Sequence, residues 1–471
     1  MFSLDRQSAQ PLADQIVQRL RELIGRGQLA PGSRLPSIRR LATQLQVAPN
    51  TVVAAYDRLA ADGLLLSRGG TGCYVGEGPQ PQADSPPLEA ADLEDPLWLA
   101  QQAHDLRAGV LQASSGSVPA AWLEDGVPLA VLQRAFSRDA APAAMRCPPQ
   151  GLPALRERLA LLLRGQGIPV DAGRLLTVNG GTQAIDLLCR AFLKPGDAVI
   201  AEDPGYFLLF GRLRQAGVRV LPVERRPDGV DLAQFEAACV QHRPKLAFLQ
   251  PVLHNPTGWG SSPANLHRVL GIAADHGVLI AEDDAYGHLQ AGEPVRLSQL
   301  AGLQGVIHYA SFCKVLSPAL RLGYVAAEPP LLKALLREKI YAVLSTPALT
   351  ELVLLELLST GRFHKHLERL RQRVARARQV AAKQLTSAGI GLPRMADSGL
   401  FLWGAVPPGI AMTALVEQAW QEGIVLASGR HFRADAQTED RHIRFNVSWS
   451  QQQRLVDFLR PRLQAGLAAH P

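Results

Sequence analysis

Lys314 is a residue whose chemistry depends on what surrounds it. It lies in Tyr309-Ala-Ser-Phe-Cys-Lys-Val-Leu-Ser-Pro-Ala-Leu-Arg-Leu-Gly-Tyr324, just after an apolar run. An amine at a strand end, taken out of water, holds its proton less tightly and becomes a nucleophile. Alone, a lysine in a loop is an ordinary surface residue. Four further motifs change that reading. Asn179-Gly-Gly-Thr-Gln183 lies between an apolar run and an amphipathic one. Its glycines free the backbone where a helix begins, and the first N–H groups of a helix suit a phosphate. His254-Asn-Pro-Thr-Gly258 offers the Asn255 amide to a phenolic oxygen. Glu282-Asp-Asp-Ala-Tyr286 offers a carboxylate that keeps a pyridine nitrogen protonated. Glu202-Asp-Pro-Gly-Tyr206 offers a ring to stack on that pyridine. Each has a plainer reading: a Gly-Gly turn, an Asn-Pro turn, or paired acids that bind Mg²⁺. No Walker-type lysine accompanies the acids, so no metal is expected. Together the donors suit a phosphorylated pyridine ring, with Lys314 as a nearby nucleophilic amine.

The elements that must position these groups are short apolar runs alternating with amphipathic ones. Strands are expected at Leu175–Val178, Ala198–Ala201, Val218–Val223, Leu246–Gln250, Val278–Ala281, Val306–Ala310 and Leu322–Ala326. Helical stretches such as Ala184–Leu193 and Asn265–His276 lie between several of them. This is α/β patterning with a mostly parallel sheet. The four motifs fall at C-terminal strand ends, where open α/β sheets bind ligands. After about Pro330 the pattern changes to long helices at Leu331–Leu344, Glu351–Leu358 and Arg362–Ala388. Short strands at Leu400–Ala405 and His442–Val447 follow, as in a separate small α+β domain.

The order and spacing of these motifs over residues 105–460 resemble fold-type I enzymes of the aspartate and kynurenine aminotransferase group, which implies pyridoxal 5'-phosphate (PLP) as cofactor. The resemblance implies Lys314 as the Schiff-base lysine and Asp283 as the partner of the pyridinium. It implies Asn255 and Tyr286 on the phenolic oxygen and Tyr206 stacked on the ring. Thr182, Gln183, Ser311 and Arg321 would hold the phosphate. Arg444, in His442-Ile-Arg-Phe-Asn446, matches the arginine that grips a substrate α-carboxylate, although an arginine there can also be a rim charge. Two places depart from the pattern. Relatives carry Tyr-Gly-x-x-x-Gly before the helix that starts near Leu155, where this chain reads Arg146-Cys-Pro-Pro-Gln-Gly151, with Cys147 taken to replace the tyrosine. Cys313 stands where relatives often have a phosphate-binding serine.

The first 75 residues read differently. Pro11–Gly25 is an amphipathic stretch, Ser37 can cap a second helix, and Pro49–Asp62 makes a third that Gly63 ends. Leu64–Leu66 and Cys73–Val75 flank Arg68-Gly-Gly-Thr-Gly72 as strand, turn and strand. That order predicts a winged helix-turn-helix whose third helix enters the major groove. Nine arginines against five acids in residues 1–75 suit a phosphate backbone. The plainer alternative is a small helical unit with a solvated arginine surface. Leu35-Pro-Ser-Ile-Arg-Arg-Leu-Ala42 with Asn50-Thr-Val-Val-Ala-Ala-Tyr56 resembles the GntR family of regulators. By that resemblance Arg34, Ser37, Arg39, Asn50 and Thr51 contact DNA, with Arg68 and Gly70 at the wing. Pro49 stands where relatives usually carry arginine.

A break rich in Pro, small and acidic residues begins near Gly76. The expected layout is a DNA-binding domain over residues 1–76, a linker over 77–104, a large PLP-binding domain over 105–330 and a small domain over 331–471. Such a fusion resembles the MocR subfamily. The resemblance implies a homodimer, often head-to-tail, that binds a double-stranded DNA operator and senses an amino compound or the B6 cofactor through aldimine chemistry at Lys314. The alternative is a working aminotransferase with an accessory DNA-binding domain. A net charge of +7 suits a phosphate partner without requiring one. The five cysteines lack metal or redox spacing, and neither a signal peptide nor a membrane span is read, so a reduced cytoplasm is expected.

Overall fold

The computed structural model describes residues 4–6, 11–25, 29, 32–61, 64–68, 72–76, 95–102, 110–137, 146–392 and 398–469. The chain divides into two compact units, residues 1–89 and 90–471. No helix among the described residues is long and apolar enough to cross a membrane.

In the first unit, α1 (Leu12–Gly25), α2 (Ile38–Leu45) and α3 (Pro49–Ala61) precede a hairpin of β1 (Leu65–Arg68) and β2 (Gly72–Val75). Apolar residues recur at helical spacing because one face must be buried. Ile16 and Leu20 of α1 meet Leu41 of α2 and Val52, Ala55 and Leu59 of α3, with Leu65 and Val75 closing the core from the hairpin. The Ser37 side chain accepts the Arg40 N–H and so caps α2. Proline at the first position of α3 costs nothing, since its missing N–H has no partner there. Gly63 and the wing tip Gly69–Thr71 lie outside the described residues.

The second unit is built on a sheet of strand order β3-β10-β9-β8-β7-β4-β5-β6. These are β3 (Leu175–Val178), β4 (Ala198–Asp203), β5 (Arg219–Arg226), β6 (Gly229–Val230), β7 (Leu246–Leu249), β8 (Leu279–Asp283), β9 (Val306–Ser311) and β10 (Gly323–Ala326). The run β9-β8-β7-β4-β5 is parallel, and β10 is antiparallel to both neighbours. Strands β3, β7, β9 and β10 are buried at every position, as expected of a sheet covered by helices on both faces. All seven expected strands are present. The two-residue β6 was not expected, because two residues carry no alternation to read.

Beyond Glu328 come helices Pro329–Val343, Ala348–Ser359 and Arg362–Ser387, then a small antiparallel sheet ordered β11-β13-β12. Its strands are β11 (Phe401–Ala405), β12 (Ala427–Ser428) and β13 (His442–Asn446). One finding departs from the expected linker. Pro96–Gln102 is a helix, with Trp98 and Leu99 buried and the Trp98 ring edge-on to Trp420 at 5.3 Å. The polar composition around it hides two large apolar side chains that have a site in the second unit.

Candidate cofactor site

Lys314 follows β9, and its Nζ reaches the Ser117 hydroxyl at 3.3 Å. Desolvation lowers its proton affinity to about 8, and Arg444 and Arg321 act in the same direction. At neutral pH a usable fraction of the amine is therefore unprotonated. The turn Asn179–Gly180 comes next to it across β10. Gly180 has φ +81°, and a Cβ there would lie 3.1 Å from Arg321 Nη2, so glycine satisfies both the backbone and the close approach. The helix Gly181–Phe192 starts three residues earlier than expected and has no side-chain cap, which leaves its first N–H groups outward. Arg321 donates to the Asn179 carbonyl at 3.2 Å and lies 3.6 Å from Cys313 Sγ. Arg321 holds a left-handed backbone, φ 44°, the kind of strain that collects at functional sites. Ser311 is buried, and its hydroxyl accepts the Cys313 N–H. Thr182 is exposed at the helix start beside the Tyr206 hydroxyl. Gln183 spends its side-chain oxygen on the Asn179 N–H at 2.6 Å, so only its main chain and amide NH₂ face outward.

Asp283 ends β8. Its oxygens accept the Ala285 N–H at 2.8 Å and the Tyr309 hydroxyl at 3.2 Å. Desolvation outweighs both and raises its carboxyl to about 6. The neighbouring acids face elsewhere, as alternation along a strand requires. Glu282 accepts Leu297 and Ser298 N–H and the His308 ring, while Asp284 pairs with Arg296 at 2.9 Å. The alternative reading of these acids as a Mg²⁺ site thus loses its ligands, and no cluster able to hold a metal occurs among the described residues.

Arg444, on β13, is buried and stacked between Phe401 and Phe432, at 4.8 and 4.7 Å. It donates to Asn255 Oδ1 at 2.8 Å and to the Ser114 carbonyl at 2.6 Å. Its Nε has no hydrogen-bond partner. That makes it a central group of the site and not a rim charge. Tyr286 donates to the Gly116 carbonyl at 3.1 Å, and a Cβ on Gly116 would stand 3.4 Å from that hydroxyl and 3.5 Å from Lys314 Nζ. Tyr206, Asp283 and Tyr309 line one cavity with Ile185, Gln250 and His254.

Two groups escaped the sequence reading. Tyr309 supports Asp283 from the adjacent strand, a contact fixed by register. The segment Ser114–Ser117 touches Arg444, Tyr286 and Lys314, largely through carbonyls that any sequence supplies. Cys147 is buried near Glu351 and Thr346, and burial with the Glu351 charge pushes its thiol up to about 12. Counting back from Gly151, the tyrosine position of the expected motif is the exposed Arg146, not Cys147. In the first unit Arg34, Arg39 and Asn50 are exposed and Thr51 is half-buried. The Arg34 guanidinium lies against Gly72 of the hairpin. Ser37 spends its hydroxyl on capping α2. Of the two wing residues, Gly70 and the Arg68 side chain lie outside the described residues.

Residues 110–459 match the family of class I and II aminotransferases, and residues 12–75 match the bacterial regulatory proteins of the gntR family. The HTH-type transcriptional regulator YdcR of Escherichia coli is 30% identical across 92% of this chain and 94% of its own length. The probable rhizopine catabolism regulatory protein MocR of Rhizobium meliloti is 29% identical over 81% of this chain and 78% of its own. Among solved structures, LysN, the α-aminoadipate aminotransferase of Thermus thermophilus complexed with N-(5'-phosphopyridoxyl)-L-leucine, superimposes with a TM-score of 0.70. That match has 27% identity and covers 79% of this chain and 97% of LysN.

Proposed function

The chain belongs to the class I and II aminotransferase family and, through its GntR unit, to the MocR-type regulators, and from this we propose that it is a PLP-dependent transcriptional regulator whose hold on DNA is set by an amino compound at Lys314. One observation carries the reading. Lys314, Asp283, Arg321 and Arg444 converge in a chain that also contains a helix-turn-helix unit.

The donor set fits PLP. A cationic guanidinium and uncapped helix N–H groups lie on one side, a buried carboxylate lies deep in the site, and Gly116 and Gly180 leave room where a side chain would intrude. When bound, PLP supplies an aldehyde carbon open to amines and a ring that withdraws electrons once its nitrogen is protonated. Arg321, Ser311, Thr182 and the main chain at Gln183 would hold the phosphate. Asp283, its oxygens fixed by Tyr309 and Ala285, would keep the ring nitrogen protonated. Asn255 and Tyr286 would take the phenolic oxygen, and Tyr206 would lie against the ring. Lys314 presents a partly neutral amine, and Ser117 accepts from it when it is free. Arg444 receives the carboxylate of an α-amino acid or a compound of similar reach, with its guanidinium already set by aromatic rings.

At the other unit, Arg34, Ser37, Arg39, Asn50, Thr51, Arg68 and Gly70 meet the operator. Exposed Ile340, Tyr341, Val343 and Leu344 at one helix end suit burial against a second copy, in keeping with a head-to-tail homodimer. Such a protein works in the cytoplasm, where the DNA is. A second reading, an active aminotransferase, is favoured by the intact set Lys314, Asp283 and Arg444. Measuring transamination and salt-sensitive operator binding on one preparation separates the two. Enzyme-like turnover without sequence-specific DNA binding would reject the regulator.

A further inference from the structure

The helix Arg362–Ser387 carries eight basic residues and one acid, Glu368. Its excess equals the net charge of the entire chain, so the rest of the chain sums to neutrality. Two of the eight are held by the fold, and a third, Arg373, donates to the Trp122 carbonyl at 3.3 Å while staying exposed. Arg378 is buried and donates to the Gly399 and Phe401 carbonyls, and Arg371 donates to the His288 carbonyl. The other six, Arg362, Lys365, Arg369, Arg373, Arg376 and Lys383, are all exposed. Their spacings of three, four and, before Lys383, seven residues place them within an arc of about 80°, along about 31 Å of helix. None of the six pairs with a carboxylate among the described residues. Arg460 of the C-terminal helix donates to Ser387 at 3.3 Å and extends the row by one more exposed cation. Glu368 lies off the arc by about 60°, and the elements packed on this helix bring further acids, Glu124 and Asp125 on a short turn, Glu351 and Glu356 on the preceding helix and Asp457 on the C-terminal one.

This arrangement works against the helix itself. Like charges three and four residues apart repel. Arg362 and Lys365 sit in the first turn, where the helix dipole favours acids, and no acid is there. An ordinary solvated helix face mixes both signs. A row of unpaired cations about 31 Å long spans nearly one turn of duplex DNA, which runs 34–36 Å and presents a phosphate every ~1.7 Å of axis.

We propose that this face is a second DNA-contacting surface, on the aminotransferase-like unit, that binds the phosphate backbone outside the bases read by the helix-turn-helix. The inference rests on the DNA-binding reading above. The face reads no sequence, since phosphates carry none, and it contributes affinity that falls with salt.

The test uses the full chain with PLP. Its operator, selected from a random pool, is placed in duplexes of about 20 and about 60 base pairs, roughly two and six helical turns. The variant Arg369→Gln/Arg376→Gln/Lys383→Gln removes three exposed cations, and Arg369→Lys/Arg376→Lys retains charge. On the long duplex, the salt slope of the binding constant should fall by about 2.7 for each subunit whose face is bound in the triple variant, from ~0.9 per phosphate contact. The lysine variant should keep the parent slope. The visible absorbance of bound PLP reports an intact fold. An unchanged slope on the long duplex overturns the proposal, including where the triple variant instead loses binding to phosphatidylserine vesicles. Parent protein that binds neither duplex overturns the DNA-binding reading itself, and this proposal with it.

Discussion

The amine of Lys314 is a charge that the cofactor-free fold holds at a cost. Its proton affinity is lowered to about 8, against about 10.4 in an unfolded chain. Between those values the unfolded chain binds more protons, so the penalty is complete below pH 8 and fades as the pH rises through the window. Lys314→Met should therefore stabilise cofactor-free protein at pH 7 by about 1 kcal/mol, with the gain shrinking by pH 10. Thermal melts at both pH values check this, and an equal effect at the two would contradict it. Asp283 titrates oppositely. Its carboxyl is raised to about 6, so it is ionised above that pH and loses its charge below. PLP affinity should fall as the pH drops from 7 to 5, and Asp283→Asn should weaken binding by about 10-fold or more and flatten that dependence. Equilibrium titration of the apo-protein with PLP reads both. The positions of Lys314, Asp283 and Asn255 near C-terminal strand ends were legible in the sequence because each follows a short apolar run. Tyr309 and Ser114–Ser117 were not, since one depends on strand pairing and the other contributes mostly backbone oxygens.

At the scale of elements, the site is an arrangement of strand ends and one helix start. Gly180 is its narrowest point, with a left-handed backbone and a guanidinium within 3.1 Å of where a Cβ would stand. Gly180→Ala should cost about 1–2 kcal/mol in the fold and weaken PLP binding through Arg321. Chemical denaturation and PLP titration measure the two parts separately. Trp98→Ala should destabilise the second unit by about 3 kcal/mol, as for other buried aromatic deletions. Denaturation monitored by the PLP absorbance would show it. An effect near zero would mean that the helix Pro96–Gln102 contributes no packing. Seven of the eight strands of the large sheet were readable because short, mostly apolar runs of four to six residues alternate with longer amphipathic stretches. The helix Pro96–Gln102 was not, because its two buried side chains sit in a stretch whose proline and acid content signals a linker. The early start at Gly181 was missed for a similar reason: glycine at a helix start reads as loop.

For the whole molecule, charge and apolar surface point to partners. The exposed Tyr341 and Leu344 suit a subunit interface, so Tyr341→Glu/Leu344→Glu should shift the protein toward monomer in sedimentation velocity. A dimer of unchanged stability would place the interface elsewhere. The joining of a GntR-type unit to an aminotransferase-like unit is legible from motif order alone, but coupling between them would be a difference in free energy between two states, which no residue type encodes. Operator affinity should be measured for parent protein and Lys314→Ala, each with and without PLP and a panel of amino acids. At least one amino compound should change the parent's affinity by about 5-fold or more, within the usual range of allosteric coupling, while Lys314→Ala should bind DNA but not respond. Parent protein whose operator affinity is indifferent to PLP and to every amine, or a Lys314→Ala variant that responds as the parent does, would contradict that coupling.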